Sequence, residues 1–87
     1  MAKPALLAVD DEPEVLRSVD RDLRRKYGQQ YRIVRAESGS SALDVAQRLK
    51  ERDETVALFL ADQRMPAMSG VEFLNKASKI FPSAKKV

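Results

Sequence analysis

The sequence predicts an α/β protein built on a doubly wound parallel sheet. Short apolar segments alternate with segments whose apolar residues recur at helical spacing, in the order βαβαβα followed by the start of a fourth strand. Strands that alternate with helices pair in parallel through right-handed crossovers. The first and third strands are unbroken apolar runs, which is typical of strands buried on both faces of a sheet.

The first half of the chain carries two strands and one helix. Ala5–Val9 is a continuous apolar run, and Pro13–Tyr27 places leucine, valine and tyrosine side chains three or four residues apart, as a helix with one buried face requires. Gly28 follows and ends this helix. The segment Tyr31–Ala36 is β-branched and aromatic but is interrupted by two arginines, which favours a strand at the edge of the sheet.

The second half repeats this alternation. A helix is expected over 39–52 with Ser38 as its N-cap, and Val56–Ala61 is the most apolar run in the chain. Ser69 and Glu72 fit the S-x-x-E capping box that begins a third helix. The helical spacing predicts that this helix buries a stripe formed by Val71, Leu74, Ala77 and Phe81.

The predicted sheet brings two strand ends together. The edge character of the second strand indicates the order 2-1-3, with residues 84–87 starting a fourth strand. In doubly wound sheets of order 2-1-3-4-5, ligands bind at the carboxyl ends of strands 1 and 3, which are neighbours. Asp10 and Asp11 follow the first strand, and Asp62 follows the third. We therefore expect these three carboxylates to lie side by side at one edge of the sheet.

Composition limits the chemistry that such a site can perform. The chain has 87 residues, enough for one small domain over 1–87, and contains no His and no Cys. Without imidazole or thiol groups, a site must be built from carboxylates, hydroxyls, amides and Lys or Arg. No apolar run approaches the roughly 18 residues of a membrane span, and the N-terminus lacks a signal-peptide pattern. We expect a cytoplasmic protein without membrane contact.

Three neighbouring carboxylates need a compensating charge. At about 4 Å, two like charges repel by about 4 kcal/mol at an effective dielectric constant of about 20. A proton or a cation among them relieves the repulsion, and Mg²⁺ suits the site because it binds one or two carboxylates and leaves room for phosphate oxygens. Beside the metal a carboxylate can act as a nucleophile and form an acyl phosphate. The residues therefore point to phosphoryl transfer.

Each acidic segment also has a simpler explanation. The stretch DDEPE at 10–14 is a good helix start, with acids and a proline in the first turn, and an Asp after a strand commonly starts a turn. The loop after Asp62 contains Pro66 and Gly70, which fits either an ordinary turn or a loop that directs a carbonyl toward a metal. The meeting of both strand ends at one edge favours the metal site.

The net charge of +3 suggests a nucleic-acid partner as another alternative. Cationic residues are frequent between Arg17 and Lys26, but Asp20 and Asp22 lie among them, and Asp20 is placed to form an i,i+4 pair with Arg24. We interpret this stretch as a solvated helix face and expect no direct nucleic-acid binding by this segment.

Three segments, in order, resemble the receiver domain of two-component response regulators: LAVDDEPEVLRSV, ESGSSAL and LADQRMPAMSGVEFL. The resemblance implies a flavodoxin-like fold and Mg²⁺-dependent phosphorylation of Asp62. It also implies that Asp10, Asp11 and Asp62 hold the metal, one of the first two through water, together with the main-chain carbonyl of Arg64. A sensor histidine kinase or a small phosphodonor would supply the phosphoryl group. The domain would then signal by conformational change to an output domain, in the same chain or a partner protein, rather than act as an enzyme.

The resemblance leaves two alternatives open. The segments RDLRRKYGQQYRIVRAESG, VALFLADQRMPAMSGVEFL and FPSAKKV are also similar to receiver segments fused to thioredoxin-reductase-like flavoenzymes, so a regulatory domain of a flavin-dependent oxidoreductase is one alternative. A receiver-like docking domain that is never phosphorylated is another.

One departure from the family pattern concerns residues beyond this sequence. Receivers also carry a Ser or Thr at the end of strand four and a Lys at the end of strand five, whereas this sequence reaches Val87 within strand four. We expect the N-terminal part of a receiver, with Lys85 and Lys86 as strand-edge charges.

Overall fold

The computed structural model describes residues 3–87, which form four strands and three helices. The strands are β1 (Ala5–Val9), β2 (Arg32–Ala36), β3 (Val56–Ala61) and β4 (Lys85–Lys86), and the helices are α1 (Pro13–Tyr27), α2 (Gly39–Glu51) and α3 (Gly70–Ile80). The sheet order is β2-β1-β3-β4, and every neighbouring pair is parallel. The predicted α/β class, the order 2-1-3 and the edge position of the second strand are confirmed.

The register of the three longer strands sets the level at which the chain leaves the sheet. Val9, the last residue of β1, pairs with Ala36 on one side and with Ala61 on the other. The ladder continues one residue further, because the Asp10 N–H donates to the Ala36 carbonyl at 3.2 Å and the Asp62 N–H donates to the Val9 carbonyl at 3.0 Å. Residues 10 and 62 therefore leave the sheet side by side.

The main core lies between the sheet and helices α2 and α3. Phe59 of β3 and Phe73 of α3 are fully buried and meet edge to face, with ring centroids 5.6 Å apart and planes at 80°, an arrangement that aromatic pairs favour. Helix α2 contributes Ala42 and Ala46, which are also fully buried. Because alanine side chains are small, α2 can pack closely against the sheet and α3.

Helix α3 buries the predicted stripe except at its first member, Val71. Val71 is 55% exposed, whereas Phe73 is fully buried together with Gly70 and Ala77. Each helical residue turns by about 100°, so Val71 and Phe73 lie about 160° apart around the axis and cannot both face the core. Burying the aromatic ring removes more apolar surface from water than burying the valine does, which explains the observed rotation. The predicted burial of Ala77 and Phe81 is confirmed, and Leu74 is half-buried against the core.

The helix ends mostly follow the sequence signals. Ser38 caps α2, since its Oγ accepts a hydrogen bond from the Ser41 N–H at 3.1 Å. Ser69 caps α3 in the same way, with the Glu72 N–H as donor at 3.2 Å. Gly28 does follow α1, but its φ of −60° is right-handed, so the left-handed cap geometry of glycine is not used here. No helix within residues 3–87 is long and apolar enough to cross a membrane.

One aspartate on α1 is not part of a solvated face. Asp20 is only 8% exposed and accepts hydrogen bonds from Arg24 Nε at 2.8 Å and Arg35 Nη1 at 3.1 Å. The pairing of Asp20 with Arg24 is confirmed, and Arg24 also donates to the Ile33 carbonyl at 3.3 Å. The interpretation of this helix face as solvated is wrong at Asp20. Its carboxylate binds Arg24 of α1 and Arg35 of β2, so it links the helix to the strand.

Candidate acidic site at the carboxyl edge of the sheet

Three carboxylates converge where β1 and β3 end. One oxygen from each of Asp10, Asp11 and Asp62 lies within 4.8 Å of the others, and all three residues are half-buried. The cause is the register described above, which ends both strands at the same level beside each other. The structure thus brings together the three carboxylates that the sequence singles out.

Asp10 is held in place by the start of α1. Its Oδ1 accepts a hydrogen bond from the Glu12 N–H at 3.0 Å, and Pro13 occupies the first turn of the helix. The Glu12 side chain makes no capping hydrogen bond. The stretch DDEPE is therefore a genuine helix start as well as part of the acidic cluster, and the two interpretations are compatible. An Asp two residues before a helical cap is a local signal from which this hydrogen bond could have been predicted.

Within residues 3–87, the acidic cluster has no basic neighbour. No Lys or Arg nitrogen of these residues lies within 4.0 Å of the carboxylates of Asp10, Asp11 or Asp62. The donor set is entirely oxygen, which is the set that Mg²⁺ prefers. Two ligands on opposite sides of a Mg²⁺ ion lie about 4.2 Å apart, so oxygens within 4.8 Å of one another are close to the span of one such ion.

The peptide group of Asp62 lies directly against α3. A Cβ atom on Gly70 would collide with the Asp62 carbonyl oxygen and lie 3.0 Å from both the Asp62 carbonyl carbon and Gln63 Cα. The Gly70 N–H also donates to the Gln63 carbonyl at 3.3 Å. The group that approaches Gly70 is therefore the backbone of Asp62, the residue that carries the candidate nucleophile.

The loop between Asp62 and α3 is partly anchored in the core. Met65 is buried, and Met68 is half-buried against the core. Arg64 is exposed, and no backbone N–H among residues 3–87 donates to its carbonyl oxygen. The Arg64 carbonyl therefore keeps both lone pairs for another partner, and its role as a metal ligand stays a prediction.

A small cavity adjoins the carboxylates. Its volume is about 170 Å³, and it is lined by Asp10, Asp62 and apolar side chains that include Leu16, Val19 and Leu60. Apolar walls lower the effective dielectric constant, so charges at the mouth of this cavity interact more strongly than they would in open water.

The fold and the acidic cluster together are those of a two-component signalling domain, and comparison with known proteins agrees. Residues 6–85 match the family model of the response regulator receiver domain. The chain belongs to this family, and it is a receiver domain of the two-component signalling type.

Individual relatives show the same kinship. The chain is 34% identical over 82 residues to the hydrogenase transcriptional regulatory protein HoxA of Cupriavidus necator. This alignment covers 94% of this chain and 15% of HoxA. The crystal structure of chemotaxis protein CheY4 of Vibrio cholerae matches 98% of this chain and 66% of its own, with a TM-score of 0.80 and 25% identity. A CheY-like receiver domain protein of Methanospirillum hungatei matches 98% of this chain and 62% of its own, with a TM-score of 0.79 and 29% identity.

These matches confirm the flavodoxin-like fold and the receiver family. The chain spans only part of the length of each of these relatives. None of the three is described as an oxidoreductase, so the likeness to flavoenzyme fusions finds no support in them.

Proposed function

We propose that this receiver domain accepts a phosphoryl group on Asp62, with Mg²⁺ held by Asp10, Asp11, Asp62 and the main-chain carbonyl of Arg64. The observation that carries the proposal is the convergence of three carboxylate oxygens within 4.8 Å. Among residues 3–87, no Lys or Arg nitrogen approaches these carboxylates within 4.0 Å. Such crowding is unfavourable without a cation, and a site that needs a divalent cation and presents a carboxylate nucleophile is suited to phosphoryl transfer.

The chemistry requires little from the protein beyond positioning. Bound Mg²⁺ supplies positive charge that offsets the carboxylates and the incoming phosphoryl oxygens. One Asp62 carboxylate oxygen forms the new bond to phosphorus while the bond between phosphorus and the donor breaks, and that electron pair leaves with the donor. A carboxylate nucleophile carries no proton to remove, which agrees with a chain that has no His.

The protein holds the reacting group from two sides. The Asp62 N–H is fixed in the sheet ladder by the Val9 carbonyl, and the Asp62 carbonyl lies against Gly70. Asp10 is oriented by the hydrogen bond that its Oδ1 accepts from the Glu12 N–H. This preorganisation reduces the cost of assembling the charged site.

The proposed donor is a sensor histidine kinase or a small phosphodonor, and the proposed consequence is a conformational signal to an output domain. The relative HoxA is a transcriptional regulatory protein and CheY4 is a chemotaxis protein, so the output is not specified by the receiver family itself. We place the domain in the cytoplasm, as a phosphoacceptor rather than a turnover enzyme, with no direct nucleic-acid contact by this segment.

Labelling with acetyl phosphate and Mg²⁺ tests the proposal. Intact-mass measurement should show the gain of one phosphoryl group, and this gain should disappear when Mg²⁺ is chelated or when Asp62→Asn replaces the acceptor. Asp22→Asn, which changes an exposed aspartate on α1, is the matched control and should label normally. Labelling that persists in Asp62→Asn would refute the assignment. Absence of both labelling and Mg²⁺ binding in the unmodified chain would favour a docking domain that does not use phosphate.

A further inference from the structure

The Met68 side chain connects the loop after Asp62 to helix α2. A Cβ atom placed on Gly39 would lie 2.7 Å from Met68 Sδ and 3.2 Å from both Cβ and Cγ of Met68. Gly39 is the buried first residue of α2, and Met68 packs against the main hydrophobic core. The absence of a side chain at Gly39 therefore creates the space that the Met68 thioether fills.

The backbone beside Met68 needs such support. Ala67 has a φ of 66°, in the left-handed region that residues other than glycine rarely adopt, and the Met68 N–H closes a three-residue turn by donating to the Pro66 carbonyl at 2.6 Å. This conformation is unfavourable for alanine and is retained only where neighbouring packing holds it. Pro66 and Ala67 are both exposed, so the packing that holds this turn comes from the flanking side chains of Met65 and Met68.

The contact also links the two ends of the acidic site. Asp10 donates its N–H to the carbonyl of Ala36, the last residue of β2, and the chain runs from there through Ser38 into Gly39. On the other side, Asp62 leads through the 63–69 loop to Met68. The Met68–Gly39 contact joins these two segments. The position of the 63–69 loop therefore depends on the segment that pairs with Asp10.

We propose that Met68 is a positioning residue for the metal site. By filling the space over Gly39, it holds the 63–69 loop, and with it the Arg64 carbonyl, at a fixed distance from the three carboxylates. The inference rests on the proposed function for its effect on Mg²⁺, but the restraint on the loop exists with or without the metal. Side chains that orient metal ligands from outside the coordination sphere typically change metal affinity by about 10–100-fold when removed.

Four variants of the chain test this role. Met68→Ala removes the contact from the loop side, and Gly39→Ala displaces the Met68 side chain from the helix side. Met68→Leu keeps most of the side-chain volume. Ile80→Ala is the matched control, because Ile80 is also a half-buried side chain packed against the same core but lies at the far end of α3. The readouts are the Mg²⁺ dissociation constant, amide hydrogen exchange of residues 63–69 and the urea midpoint of unfolding.

The two contact variants should behave alike in binding and differently in stability. We expect Met68→Ala and Gly39→Ala to weaken Mg²⁺ binding by about tenfold and to speed exchange in the 63–69 loop. Alanine favours helix formation over glycine, so Gly39→Ala should lose affinity without a matching loss of urea midpoint. Met68→Leu should recover most of the affinity, and Ile80→Ala should lower the midpoint while leaving Mg²⁺ binding and loop exchange unchanged.

Other results would overturn the inference or the proposed function separately. If Met68→Ala and Gly39→Ala keep the Mg²⁺ affinity and the loop exchange of the unmodified chain, Met68 only fills the core. If the unmodified chain binds no Mg²⁺, the proposed function fails, and loop exchange alone decides whether Met68 restrains the loop. If Met68→Ala does not fold, the comparison of Gly39→Ala with Ile80→Ala decides in the same way.

Discussion

Gly70→Ala should both destabilise the protein and disturb the acceptor residue. The added Cβ meets backbone atoms of Asp62 and Gln63, none of which can rotate away as the end of a flexible side chain can. Overpacking costs about 1–3 kcal/mol, and with only backbone atoms opposing it we expect about 3 kcal/mol. Alanine offsets about 1 kcal/mol of this because it favours the helix more than glycine does. The net loss is about 2 kcal/mol.

The effect is measurable in two assays. For a chain of this size, about 2 kcal/mol lowers the midpoint of thermal unfolding by about 10 °C. Because the collision displaces the peptide group of Asp62, labelling by acetyl phosphate should also slow in the folded variant. Gly39→Ala is the control for a glycine replaced where the neighbouring atoms belong to the flexible Met68 side chain, and its midpoint should fall far less. A Gly70→Ala variant that melts and labels like the unmodified chain would refute the close approach at Asp62.

Three further predictions follow from the packing and the charges. Asp20→Ala should lower the free energy of unfolding by about 1–2 kcal/mol in urea titration, because two hydrogen bonds from half-exposed arginines are lost. Asp22→Ala on the exposed face should change it by less than about 0.5 kcal/mol, and equal effects of the two variants would contradict the link between Asp20 and Arg35 of β2. Phe73→Ala should cost about 3–5 kcal/mol and Val71→Ala less than about 0.5 kcal/mol, and the reverse order would restore the stripe expected from sequence. Asp11→Asn should raise the melting temperature of the metal-free chain by a few degrees, because about 1 kcal/mol of repulsion is relieved. The same change should weaken the stabilisation by Mg²⁺. A lower metal-free melting temperature would contradict the repulsion among these carboxylates.

The sequence predicts the position of the acidic site better than it predicts the packing around it. Asp10, Asp11 and Asp62 could be placed together because unbroken apolar runs identify two interior strands, and parallel topology then brings their carboxyl ends to one edge. That inference needs only the order of elements. It does not need the orientation of any single side chain.

The features that sequence reasoning missed depend on contacts between distant segments. Asp20 looks like other charges on α1 until Arg35 of β2 reaches it, 15 residues along the chain. The rotation of α3 is decided by Phe73 meeting Phe59 of another element, whereas helical spacing alone fits Val71 equally well. A glycine at the first position of a helix, as at Gly39, was a usable signal of close contact, but nothing local identifies its partner.

The attachment of Asp62 has a directional consequence. On one side its N–H belongs to the ladder with β1, whose five residues are all buried, and this is the part of a domain that opens last in hydrogen exchange. On the other side its carbonyl leads into a loop with one residue of unfavourable backbone conformation. Asp62 therefore marks the boundary between a buried sheet ladder and a loop whose position depends on the packing of Met65 and Met68 against the core.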